Sequence, residues 1–216
     1  MVLKTGDFIE LDYTGRLKEN NAVFDTTNVE LAKTSGIFSP KTHYGSIIIC
    51  LGEGMLLRGL DTNLVGKGIG KHTVPLGPTE AFGNKDVKHI QMIPASKFKE
   101  QNIQPYPGLQ LNIDGMIGTI KTAGGGRILV DFNHPLAGKD VVYEVDVKRV
   151  VTDKAEQIKT LLHSGFSIHV ENLEINADSA TITLKQDMPS EIAETINKKI
   201  IALCDVKAVA WKKEGA

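Results

Sequence analysis

Over the first 83 residues the apolar positions fall in short alternating runs rather than in helical stripes. In DFIELDYTG, residues 7–15, Ile9, Leu11 and Tyr13 alternate with Phe8, Glu10 and Asp12, which predicts a half-buried strand stopped at Gly15. SIIICLG, 46–52, reads as a buried strand ended by Gly52. HTVPLGP, 72–78, reads as an edge strand, because its proline cannot donate to a ladder. In MLLRGLDTNLVG, 55–66, the period changes: Leu56, Leu60 and Leu64 recur every fourth residue and Gly66 suits a C-cap, predicting a helix.

From residue 84 the pattern shifts. Residues 86–108 mix a strand, a short helix begun near Ser96 and a turn at Pro105–Gly108. LQLNIDGMIGTIKTAGGGRILVDF, 109–132, then predicts alternating strands joined by a hairpin at Gly124–Gly126. VVYEVDVKRV, 141–150, resumes the strand pattern of the first segment, so a compact unit is inserted within a larger β domain. Beyond Thr152 the order is αββαβ. A helix carries Ala155, Ile158, Leu161 and Leu162; FSIHVENLEI and SATITLK alternate; a second helix carries Ile192, Ile196, Ile200 and Leu203; VKAVAW closes. The fold class is α+β, with segments 1–84 plus 132–150, 85–131, and 151–216.

Composition narrows the function classes. Hydrophobic residues make up 41%, charged residues 24%, and the net charge is −1, which draws the chain towards neither nucleic acid nor an acidic membrane. The opening MVLKTGDF has no apolar signal core, and no stretch approaches the ~18 apolar residues of a membrane helix. Cys50 and Cys204 are far apart and form no CxxC pair, so both are read as reduced thiols of a cytoplasmic protein. The six histidines show neither i, i+4 spacing nor a Cys/His cluster, so no metal and no cofactor is expected. GKGIGKH, 66–72, fails as a phosphate loop: Val65 stands where the first glycine belongs and His72 where a hydroxyl belongs. There is no GxSxG nucleophile element either.

One series of short motifs stands out: LDYTGRL and VFDTT, then LGEGMLLRGL, GPTEAFG and VVYEVDV. Singly, each aromatic reads as core. In this order, over residues 4–83 and 135–150, they resemble the FKBP family of peptidyl-prolyl cis-trans isomerases. IQMIPASKF and VDFNHPLAGKD make the match more specific, resembling the SlyD-type branch with an insert-in-flap chaperone domain. The extra C-terminal segment resembles the long archaeal form. The histidine-rich tail of bacterial SlyD proteins is missing, so nickel storage is not carried over.

The resemblance implies a prolyl pocket formed by Tyr13, Phe24, Asp25, Leu56, Leu57, Leu60, Phe82 and Tyr143, with Ala81, His134, Leu136 and Ala137 on its rim. Leu60 stands where many relatives have tryptophan and Phe82 where they often have tyrosine, which implies at most weak binding of FK506-type macrolides. His134 is thereby a rim residue and not a general base. On the insert, Met92, Ile93, Phe98, Ile103, Met116, Ile117 and Ile120 exceed what so small a unit easily hides. The resemblance makes them a surface that captures unfolded or nascent proline-containing chains; a small insert core is the alternative. A holdase that binds proline without turnover is the competing function. The C-terminal segment, with eight Lys/Arg against ten Asp/Glu, carries no nucleic-acid footprint and is expected to mediate a homodimer or add a second chaperone surface.

Overall fold

The structure, a computed structural model, describes residues 2–214; residue 1 and residues 215–216, the outermost positions of the first and last segments, lie outside the described residues. The chain forms two compact units. One runs to Leu76 and resumes at Asp140, and the other is Gly77–Lys139.

The first unit begins with strands β1 (Phe8–Leu17), β2 (Val23–Thr26), β3 (Ile47–Cys50) and β4 (Gly70–Leu76), and helices α1 (Val29–Thr34) and α2 (Arg58–Leu64). The second unit holds β5 (Ile90–Pro94), α3 (Ala95–Glu100), β6 (Gln110–Ile113), β7 (Met116–Gly124) and β8 (Arg127–Asp131). The chain then returns as β9 (Val141–Val150) and continues through α4 (Lys154–Thr160), a π-helical segment Leu161–Gly165, β10 (Asn172–Asn176), β11 (Ser179–Leu184), α5 (Ser190–Leu203) and β12 (Ala208–Lys213).

In the first unit an antiparallel sheet runs β2-β1-β9-β4, and β3 also pairs with β1. β1 is long enough to take two partners along one edge: β3 opposite Phe8–Leu11 and β2 opposite Thr14–Arg16. Pro75 sits in β4, which bonds to β9 alone, so its missing N–H costs no ladder bond. One face of the sheet buries Leu11, Val145, Val147 and Val74, joined by Leu60 and Leu64 of α2.

Two expectations for β1 change. The strand does not stop at Gly15 but continues to Leu17, with an irregular register after Gly15. Glycine is required there by packing: a Cβ would lie 2.6 Å from the Phe24 ring and 3.1 Å from that of Tyr143. Nor is the polar face of β1 bare. Phe8, opposite Cys50, is 1% exposed and packs into a core shared with the C-terminal residues Ile158, Leu161, Leu162, Ile182, Ile196 and Ile200.

That shared core makes residues 151–214 part of the first unit. β10 and β11 form an antiparallel pair, and α5 carries the chain over to a parallel β12. Asp153 caps α4 through the Glu156 N–H at 2.8 Å. The expected strand from Phe166 is shorter than its alternation, because Phe166, Ile168 and Val170 pack irregularly against the core before β10 starts at Asn172. Ile196 and Ile200 are buried on α5, whereas Ile192 is 49% exposed.

The second unit holds a sheet of order β5-β8-β7-β6. β7 and β8 are joined by the predicted hairpin, with Gly125 and Gly126 both at positive φ, as a tight primed turn requires. Its core is Phe98, Ile120, Ile128 and Val130, with Ile93, Ile103 and Phe132 packed against it. Four residues expected on a capture surface are therefore corrected. Phe98 and Ile120 are buried, and Ile93 and Ile103 are half-buried, because a four-stranded sheet with one short helix spends them on its own interior. Met92, Met116 and Ile117 are exposed at 60%, 51% and 66%.

Candidate active site

A small cavity of about 170 Å³ opens in the first unit, lined by Tyr13, Asp25, Met55, Leu56, Leu57, Leu60 and Tyr143. Three elements build it. β1 contributes Tyr13, β2 Asp25 and β9 Tyr143, since Gly15 pairs with both Asp25 and Tyr143 and so brings the flanking strands together. Leu57 occupies the N-cap position of α2, Leu56 precedes it, and Leu60 lies on the first turn, 1% exposed. The helix is shorter than its apolar period suggests, so Leu56 and Leu57 belong to the loop leading into it.

The polar content is confined to one corner. The Tyr13 hydroxyl donates to Asp25 Oδ2 at 2.9 Å. Burial raises the Tyr13 pKa well above that of an ordinary phenol, and the adjacent Asp25 carboxylate raises it further. Tyr143 is shifted the same way, by burial first and then by Asp25 and Tyr13. Both phenols therefore stay protonated at physiological pH. The Tyr13 and Tyr143 rings are tilted at 52° with centroids 5.9 Å apart, and Phe24 meets Tyr143 edge-on at 5.7 Å. Phe24 does not line the cavity; it backs the Tyr143 wall.

The structure thus brings together Tyr13, Asp25, Leu56, Leu57, Leu60 and Tyr143. Phe82, Ala81, His134, Leu136 and Ala137 belong to the second unit. There Phe82 stacks on His134, centroids 4.7 Å apart and 2° from parallel. His134 Nδ1 accepts the Leu136 N–H at 3.2 Å, and its carbonyl accepts from Ala137 at 2.9 Å. The ring is occupied in stacking on Phe82 and in the turn at Leu136. Met55 was not picked out from sequence: it stands immediately before the aliphatic pair, but no periodicity separates it from ordinary core.

A larger, open cleft of about 830 Å³ lies elsewhere on the first unit, between residues such as Asp12, Asn28, Lys71, Glu144 and Asp146. Its walls mix Val29, Tyr44 and Val145 with Asp12, Lys71, Glu144 and Asp146, so the more uniformly apolar small cavity is the better seat for an uncharged pyrrolidine ring. Among the described residues no three His, Cys, Asp or Glu side chains group as a metal site would need, and no helix is long and apolar enough to cross a membrane.

A family model described as FKBP-type peptidyl-prolyl cis-trans isomerase matches residues 2–99, and another described as FKBP26, IF domain, matches 91–136. The short-type peptidyl-prolyl cis-trans isomerase of Methanocaldococcus jannaschii is 30% identical over 156 residues, which cover 72% of this chain and 98% of that protein. The chain belongs to the FKBP-type peptidyl-prolyl cis-trans isomerases. Other similar proteins are the FKBP-type 16 kDa isomerase of Escherichia coli K12, 30% identical over 62% of this chain and 93% of its own length, and SlyD of Treponema pallidum, 28% identical over 60% and 76%. This FKBP is accordingly a prolyl isomerase, and the second unit carries the match to the IF domain.

Proposed function

We propose that the Tyr13–Asp25–Tyr143 cavity seats the proline of X-Pro bonds in unfolded or nascent chains, and that the inserted unit captures those chains. The observation that supports this most is a small, largely apolar cavity with a single carboxylate, held at its wall by a tyrosine hydroxyl. Rotation about the X-Pro amide meets a barrier of about 18–20 kcal/mol, because resonance gives the C–N bond double-bond character. The twisted transition state loses that resonance and carries less charge separation than the planar amide. A pocket that withholds water while gripping the ring with Leu57, Leu60 and Tyr143 stabilises the twisted form relative to the planar one. A ~10⁵-fold acceleration needs only about 7 kcal/mol, with no proton transfer. Asp25 anchors Tyr13 and presents its charge to the rotating carbonyl.

For capture, the support is exposed methionine and isoleucine on the insert, Met92, Met116 and Ile117, apolar side chains of which the methionines adapt readily to varied partners. A cytoplasmic site of action fits two free, buried thiols. We also place a homodimer contact in the C-terminal layer, whose sheet order leaves β10 and β12 as edges.

The test is refolding of a protein limited by a prolyl bond, a phase of tens to hundreds of seconds when uncatalysed. Substoichiometric full chain accelerates it, and Asp25→Ala, still folded by circular dichroism, is slower by roughly tenfold. If aggregation falls only at stoichiometric protein and refolding is not accelerated, the chain acts as a holdase. Unchanged turnover in Asp25→Ala would rule out the role given to that carboxylate.

A further inference from the structure

Met55 faces two ways. Its side chain lines the proline cavity beside Asp25, Leu56 and Leu57, and it also packs on the core made by the C-terminal layer. Its sulfur accepts the Cys50 N–H at 3.3 Å, and a Cβ built on Gly165 would stand 3.4 Å from the Met55 Cε. Gly165 ends the π-helical segment after α4, a wider turn of the kind that recurs at functional positions.

The rest of the loop carrying Met55 is tied on the same side. Both Asp61 carboxylate oxygens accept the Gly52 N–H, at 2.9 and 3.0 Å. Glu53, two residues before Met55, accepts from Lys199 Nζ on α5, and that ammonium also lies 5.9 Å from the centroid of the Phe166 ring. α2 thus holds one end of the loop while the C-terminal layer holds Glu53 and Met55. Met55 is the residue through which both ties reach the cavity, since it touches the Gly165 side and follows Glu53 by two residues.

We propose that the C-terminal layer is a positioning element of the isomerase: Gly165 and the Lys199–Glu53 pair set the Met55 side chain, and through it the width of the prolyl pocket. This rests on the assignment of that cavity as the proline site. It adds a role for residues 151–214 distinct from dimerisation or capture.

The experiment uses the full chain, a proline-containing tetrapeptide and methyl NMR of ¹³C-methionine protein, with the Met55 signal assigned by its loss in Met55→Leu. Gly165→Leu adds carbons beside Met55, whose Cε lies 3.4 Å from the new Cβ position, in van der Waals contact; it is expected to lower kcat/KM by roughly twofold to threefold and to shift the Met55 methyl resonance. In a Met55→Ala background Gly165→Leu has no further effect, because the side chain that conveys it is gone. Lys199→Glu, which adds no bulk to the core, is expected to lower kcat/KM about twofold, with recovery when Glu53→Lys is added. A wild-type kcat/KM in both Gly165→Leu and Lys199→Glu overturns the inference, and so does an equal Gly165→Leu loss with and without Met55, which would mark a general structural effect. If Asp25→Ala and Met55→Ala keep full activity, the cavity itself is not the proline site. If they lose activity while the two C-terminal variants do not, only the positioning role falls.

Discussion

Cys50 and Cys204 show how burial dominates a side chain's chemistry. Burial pushes both thiols up to about 12 from an ordinary value near 9; the carboxylates of Glu53, Asp61 and Asp7 add to the effect at Cys50, and Cys50 adds to it at Cys204. Neither is a nucleophile at neutral pH, so a thiol reagent at pH 8 should label them only as the chain unfolds. The folded-state values lie above the unfolded ones, so the protons are held more tightly in the native state. The stability this provides is complete below pH 9 and is lost as pH rises towards 12. Melting followed from pH 8 to 11 should decline more steeply in the wild type than in a Cys50→Ala, Cys204→Ala variant. Identical slopes would leave the decline to Tyr13 and Tyr143, whose raised values act in the same direction from about pH 10 upward.

At the scale of elements, the inserted sheet divides its apolar residues by strand register. Gln91 and Ile93 of β5 pair with Val130 and Ile128, on the face that forms the core, which turns Met92 to the opposite face beside Leu129. Changing Met92, Met116 and Ile117 together to glutamine removes exposed apolar surface without emptying the interior. The variant should melt within a few degrees of the wild type, and should lose several times more activity on an unfolded prolyl-limited protein than on a tetrapeptide. Equal losses on both substrates would sink the capture model. The same register logic explains why sequence alone misjudged this element. Alternation marks the apolar strand positions, but nothing local says how much interior a four-stranded sheet encloses, so burial of Phe98 and Ile120 is decided only by the fold.

For the whole molecule, the shared core around Phe8 and Cys50 is the feature with the largest consequence. Burying a side chain such as Phe8 contributes roughly 1.5–3 kcal/mol, and Ile48 and Met55 also lean on that core. A chain ending at residue 150 would bare them all, so it should melt on the order of 10 °C lower and bind an apolar dye. A fragment as stable as the full chain would show that the C-terminal layer is dispensable to the first unit. In β1 this dependence was visible but unassigned. Phe8 sits in phase with Glu10 and Asp12, an apolar residue on an otherwise polar face, with nothing nearby in sequence to cover it.

What the sequence determined by itself was local and periodic: the strands on either side of the insert, the Gly125–Gly126 hairpin, the αββαβ order, and the short motifs that carry Tyr13, Asp25, Leu56, Leu57, Leu60 and Tyr143. Those follow from backbone preferences and side-chain alternation, which act over a few residues. The tertiary structure alone decided that Gly15 is a point of ring contact inside a strand, that α2 starts after Leu57, that Phe8 is covered from residues 150 positions away, and that Met55 belongs to the pocket. Each of these depends on which apolar surfaces meet across long sequence separations. The hydrophobic effect rewards burial without specifying the partner, so only packing and hydrogen-bond geometry select it.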